Sequence, residues 1–154
     1  MRNINFKIQV HQQCTTVVLQ RINELKAILH EAQEAANNET KSSAGDKHET
    51  GRAMAQLETE KLTGQLTEAL KLEQALTKID PNIQHQQIGL GSLVTTNNGI
   101  FYLSVGLGKI ELEGQTVFVI SAVSPIGKLL LNKKEGCNLQ PSFNGIQYVI
   151  ESVS

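Results

Sequence analysis

Tryptophan is absent, and the other aromatics make up only 4% of the 154 residues. That scarcity argues against an aromatic-lined ligand groove and against a base-stacking platform for nucleic acid. Neither sign of charge is in surplus. Fourteen Lys and Arg stand against 15 Asp and Glu, for a net charge of −1. A protein that coats free DNA or RNA is distinctly basic, so free nucleic acid is not expected as the sole partner. The only two cysteines, Cys14 and Cys137, lie far apart. They give neither a metal-ligand spacing nor a disulfide framework, and a reduced, cytoplasmic setting is expected. No run approaches the roughly 20 apolar residues that cross a bilayer, so no membrane partner is expected. The opening M-R-N-I-N-F-K-I-Q-V has no long apolar run and does not read as a signal peptide. A P-loop, a nucleophile elbow and a Cys/His cluster are missing too, and the glycines near Gly91 and Gly106 do not open a helix after a strand. With no nucleophile–base arrangement visible, an enzyme acting alone is the least favoured class.

Proline is also rare, and none of the three occurs before position 81. Up to about Ile79 the chain is rich in Glu, Gln, Lys, Leu and Ala. From Asp80 onward it is rich in Gly, Val, Ile, Thr and Ser. Asp80-Pro81 marks the change, because the residue before a proline is pushed out of helical geometry. The expected division is a helical part over residues 1–80, a linker over 81–87 and a second domain over 88–154.

In the first part Val18, Ile22, Leu25, Leu29, Ala32 and Ala36 are spaced four and three apart, a heptad seam. A second, less regular seam runs through Met54, Leu57, Leu62, Leu66, Ala69, Leu72, Leu76 and Ile79. Two seams around a polar break predict an antiparallel coiled-coil hairpin, with helices over about His11–Asn37 and Lys47–Ile79. The faces carrying Glu24, Lys26, Glu58, Lys61, Glu68 and Lys71 read as solvated.

The second part reads as strands. Leu90–Thr96 is followed by the turn signal Asn97-Asn98-Gly99, then by Ile100–Val105 and Thr116–Ser121. Ser124 reads as an N-cap, with Pro125 at the first position of a short helix that buries Ile126, Leu129 and Leu130 and that Gly136 ends. Gly145 turns the chain into a last strand, Gln147–Val153. The fold class is therefore α+β: the hairpin, then a small antiparallel β-sheet domain with one short helix.

The polar break holds G-D-K-H-E, Gly45 to Glu49. Two readings stay open. Asp46 as N-cap with Glu49 three residues on makes a capping-box-like start for the second helix, worth about 1 kcal/mol. The same two carboxylates at the tip of a hairpin could instead handle a metal ion. Mg²⁺ is a hard ion that takes oxygen ligands and keeps several waters, and one or two added carboxylates can recruit a second ion to a site that already holds one. His48 reads as an exposed loop residue. Lys41, Lys47 and Arg52 surround the tip and can meet phosphates or acidic walls, or simply balance the acids.

The run I120-S-A-V-S-P-I-G-K-L-L-L-N-K-K-E-G-C resembles the C-terminal domain of the Gre transcript-cleavage factors, whose pattern is close to I-S-x-x-S-P-L-[AG]-x-A-L-[LI]-G-K-x-x-G-D. Tyr148-Val149-Ile150 is similar to the family's closing Y-x-I, G91-S-L-V to its G-S-x-V, and Tyr102 with Val105-Gly106 to its Y-x-x-V-G. The resemblance covers about residues 88–153. It departs at Asn132, where the family has Gly, and at Cys137, where it has Asp. Family members place an antiparallel coiled coil before this domain, with G-D-[LI]-x-E-N at the tip, so Asp46 and Glu49 fall on its two acids. Thr50 replaces the Asn, and Asn37–Ala44 reads as an insertion.

The resemblance implies an FKBP-like second domain, without proline isomerase activity. Phe101, Tyr102, Phe118, Phe143 and Tyr148 are expected in its core. The partner implied is bacterial RNA polymerase, with Ser124 and Pro125 on the surface that meets it. Asp46 and Glu49 are expected to help hold a catalytic Mg²⁺ shared with the polymerase near the 3′ end of backtracked RNA. The chain has no cofactor of its own in this reading, and it stimulates another protein's nuclease rather than being an enzyme. A monomer is expected. Two alternatives remain: a regulator that binds the same channel without promoting cleavage, and a coiled-coil adaptor unrelated to transcription.

Overall fold

Phe6, Val10, Cys14, Val18 and Ile22 recur every four residues, and all five are buried along one face of a single helix, α1, Ile4–Lys41. The seam thus begins well before Val18, and the helix starts at Ile4 rather than near His11. It also runs on to Lys41, so the first residues of the apparent insertion extend a helix by about a turn instead of forming a loop. The second helix, α2, spans Asp46–Thr77. The computed structural model describes residues 4–41, 46–138 and 144–154, with the backbone alone at 39–41 and 46–49. Two compact units divide the chain: Met1–Thr16 with Gln74–Ser154, and Val17–Glu73.

Within Val17–Glu73 the helices run antiparallel. Arg21 and Leu25 share a groove with Lys61 and Leu72, while Ala36 shares a cleft with Arg52 and Thr59. Ile22, Leu62 and Ala69 are buried, and Leu25, Leu29, Ala32, Ala36, Gly51, Ala55, Thr59 and Leu66 are half-buried. Met54 and Leu57, assigned to this seam from the sequence, are instead 67% and 66% exposed. The small residues Gly51, Ala55 and Thr59 take the inward positions. A four-three count that follows side-chain size alone picks the wrong face there.

The other unit holds a five-stranded sheet in the order β3-β4-β2-β1-β5. Its strands are β1 Leu93–Thr96, β2 Gly99–Ser104, β3 Gly108–Leu112, β4 Gln115–Ser121 and β5 Ile150–Val153. The sheet is mixed rather than wholly antiparallel, because β2 and β4 pair in parallel, with Ile100 opposite Val117 and Tyr102 opposite Val119. The cause is β3, a strand the sequence reading did not assign. β2 runs out, β3 returns at the edge, and β4 comes back between them through a two-residue turn. In that turn Glu113 and Gly114 both take positive φ, 53° and 74°, as the twist of a tight hairpin demands.

Ser124 caps α3, Pro125–Leu130, with Pro125 at its start. The helix ends at Leu130, six residues short of Gly136, because Leu131 leaves helical geometry and Asn132 turns at φ 69°. Asn tolerates that left-handed conformation where the Gre pattern has Gly. Ile126 and Leu130 pack with Ile88, Val94, Phe101 and Tyr148. Leu93, Tyr102, Val117 and Val119 are fully buried elsewhere in the sheet. Of the aromatics expected in the core, Phe101, Tyr102 and Tyr148 are buried, Phe118 is half-buried and Phe143 lies outside the described residues.

Candidate functional site

A helix start dictates what a carboxylate can do there. The first turn leaves backbone N–H groups unpaired and carries a partial positive charge, so it favours acids. Asp46 opens α2 and Glu49 follows one turn later, on the same side of the helix. The segment 42–45 joins it to Lys41 at the end of α1. The side chains of Lys41, Asp46, Lys47, His48 and Glu49, and all of Gly45, lie outside the described residues. Two carboxylates fit a shared Mg²⁺ better than a private one. Such an ion would take about six oxygens, so these two carboxylates would leave most of its shell to other donors. Among the described residues no three His, Cys, Asp or Glu side chains converge to hold a metal.

Arg52 stands one turn beyond Glu49. It is exposed and lines a cleft of about 260 Å³ with Ala36, Gln56 and Thr59. Its guanidinium is accessible to an anion at this level of the hairpin.

The second cluster lies between β4 and α3. The Ser124 hydroxyl donates to the Ser121 carbonyl at 2.6 Å and accepts from the Gly127 N–H at 3.1 Å. The Ser121 hydroxyl in turn accepts from the Val123 N–H at 3.1 Å. The Ser124 hydroxyl is therefore committed inside the loop, and Ser124 positions its neighbours rather than offering a free donor. The groups presented outward are Pro125, which is exposed, and Val123, which is 75% exposed. Sequence reasoning named Ser124 and Pro125 and missed Val123. An apolar residue directly before a capping serine was the available signal.

A third cluster joins residues remote in sequence. Lys7 is fully buried and its Nζ donates to the Ile83 carbonyl at 2.6 Å. The Tyr102 hydroxyl lies 2.7 Å from His11 Nδ1. His11 also bonds the Leu76 backbone. His85 Nδ1 approaches Ser92 Oγ at 2.5 Å, and that oxygen also accepts from the Gly89 N–H. Burial lowers the affinity of both histidines for a proton. Ser92 is fully buried and cannot meet a substrate, so this His–Ser pair is a structural contact.

Burial also pushes the Lys7 ammonium down to about 8, with the Asp80 carboxylate pulling the other way. The folded value lies below the unfolded 10.5. Between those two values the unfolded chain keeps a proton that the folded chain has released, so Lys7 makes stability rise with pH. Cys14, pushed up to about 12 by burial, and Tyr102, also raised, act in the opposite sense at the top of the range. The clean measurement is therefore a difference. In urea titrations the stability of the wild type relative to Lys7→Met is expected to increase by about 2–3 kcal/mol from pH 8 to 10.5. A flat difference would show that the amine is not desolvated.

No family model matches the chain, and no curated protein matches it. Solved structures of similar proteins do align with most of it. One is the crystal structure of the GreA factor homolog 1 (Gfh1) protein of Thermus thermophilus. It is 18% identical, covers 91% of this chain and 94% of its own, and has a TM-score of 0.36. A structure of the transcription factor Gfh1 is 20% identical, with 90% and 92% covered and a TM-score of 0.36. Thermus aquaticus Gfh1 is 19% identical, with 90% and 92% covered and a TM-score of 0.34.

Proposed function

We propose that this chain is a Gre-like factor that acts on bacterial RNA polymerase and stimulates cleavage of backtracked RNA. The loop carrying Val123 and Pro125 docks on the polymerase. The closed end of the hairpin enters the secondary channel, where Asp46 and Glu49 would help recruit and hold a second Mg²⁺ at a polymerase site that already holds one. A Mg²⁺ held there would supply an activated water for phosphodiester cleavage near the RNA 3′ end, and the role of Asp46 and Glu49 would be to help hold it. Lys41, Lys47 and Arg52 neutralise phosphates around the tip. The chain completes another protein's active site and has none alone.

The observation that supports this reading most directly is the start of α2 at Asp46, with Glu49 one turn on, in a G-D-x-x-E motif between two antiparallel helices. The test is a stalled, backtracked elongation complex. Purified protein is expected to accelerate release of the RNA 3′ fragment, and an unchanged rate sinks the proposal. A second reading, a channel-binding regulator without cleavage activity, is kept by the helical extension at the end of α1, which changes the tip. It predicts competition with a cleavage factor and no stimulation.

The docking loop makes its own prediction. Val123→Asp places a charge where an apolar contact is needed and leaves the cap hydrogen bonds in place. Affinity for polymerase is expected to fall about tenfold or more, with an unchanged urea midpoint. Equal affinity would remove this loop from the interface.

A further inference from the structure

Helix α2 carries two stripes, and α1 covers one of them. The second follows Leu57, Lys61, Gly64 and Glu68 at four-three-four spacing and ends beside Leu72. Leu57 is 66% exposed, Lys61, Gly64 and Glu68 are exposed, and Leu72 is half-buried. The stripe borders an open groove of about 540 Å³, whose other wall is Arg21 and Leu25 of α1. Among the described residues nothing packs close against Gly64. A Cβ there would meet nothing within 4 Å, and its φ is not positive. Yet a glycine inside a helix costs about 1 kcal/mol relative to alanine. What its missing side chain permits is close approach of another backbone.

We propose that this stripe is a docking surface for a second copy of the chain, with the two α2 helices crossing antiparallel about a two-fold axis between Gly64 and Gln65. The argument is self-complementarity. That axis sets Lys61 opposite the second copy's Glu68 and Glu68 opposite its Lys61. It sets Leu57 against the second copy's Leu72, twice, and the two Gly64 positions at the crossing. A two-fold interface requires such reciprocal pairing, and a parallel arrangement would oppose like charges. Glu68 now pairs with Lys71 at 3.2 Å on an exposed surface, a contact that water weakens and that is easily exchanged. The stretch from Leu57 to Leu72 is roughly 24 Å long at about 1.5 Å per residue. It lies at the small end of specific interfaces, so the dimer is expected to dissociate in the micromolar range, roughly 10–100 μM. At lower concentrations the chain is a monomer.

Sedimentation equilibrium of the full chain, from about 1 to 500 μM, tests this. Lys61→Glu alone, or Glu68→Lys alone, makes both symmetric pairs repulsive and is expected to weaken dimerisation about tenfold or more. The double variant Lys61→Glu/Glu68→Lys restores the pairing and is expected to come back within about threefold of wild type. Both sites are exposed, so helix content by circular dichroism should not change. A monomer at every concentration overturns the proposal. So does a dimer that ignores the single reversals, or a double variant that stays monomeric while fully helical.

Discussion

Replacing Asp46 and Glu49 together by Asn and Gln is expected to reduce stimulated cleavage of backtracked RNA by a factor on the order of 100, with polymerase affinity changed little. The amides were chosen to separate the two readings of the tip. Asn caps a helix as well as Asp does, and Gln can serve in a capping box as Glu does. The variant therefore keeps the capacity to cap and loses only charge, a few tenths of a kcal/mol against the helix dipole. An amide oxygen is a poor substitute for a carboxylate at a hard cation. If the acids are only a cap, the Asn/Gln variant behaves as wild type, and only an Ala/Ala variant loses stability. If they hold metal, the Asn/Gln variant is stable, binds polymerase and fails to stimulate. Raising Mg²⁺ should partly rescue either single amide variant and leave the double one inactive. A double variant that binds and cleaves at the wild-type rate would leave the carboxylates with no chemical role.

The parts legible in the sequence are those governed by local rules. A capping serine followed by proline announces a helix within four residues, and α3 begins there. Asn97-Asn98-Gly99 announces a reversal, and Thr96 pairs with Gly99 across it. The acidic pair at the start of α2 is legible for the same reason. What was not legible depends on distant partners. β3 has one buried side chain, Ile110, between the exposed Lys109 and Glu111, too little alternation to declare a strand. Missing it hid the parallel pairing of β2 with β4. The outer part of the α2 seam was misread because Gly51, Ala55 and Thr59 are small, and hydrophobicity alone favours Met54 and Leu57. The contact of His11 with Tyr102 spans 91 positions, and neither residue signals it.

That contact is where the largest loss of stability is expected. Tyr102→Ala should cost about 3–5 kcal/mol, because it empties a site that is fully buried in the middle of β2. The side chain lies between strands on both sides, paired with Leu93 in β1 and Val119 in β4, so the backbone has little freedom to collapse into the cavity. His11 also loses its hydrogen-bond partner, and its ring meets Tyr102 edge-on with centroids 5.9 Å apart. Tyr102→Phe keeps the volume and the ring contact and should cost only about 1 kcal/mol, the net worth of one hydrogen bond. Leu57→Ala serves as the control at an exposed position and should stay within about 0.5 kcal/mol in dilute solution. Against a total of roughly 5–15 kcal/mol, the alanine variant is left near the edge of folding, and its urea midpoint should fall by about 2 M. Amide exchange should localise the damage: faster in β2 and in the first turns of α1, which His11 ties to the sheet, and unchanged in the part of α2 around Leu62. A cost below about 1.5 kcal/mol for Tyr102→Ala would mean that this site relaxes freely, and that the docking of α1 on the sheet rests on the other residues of its buried face.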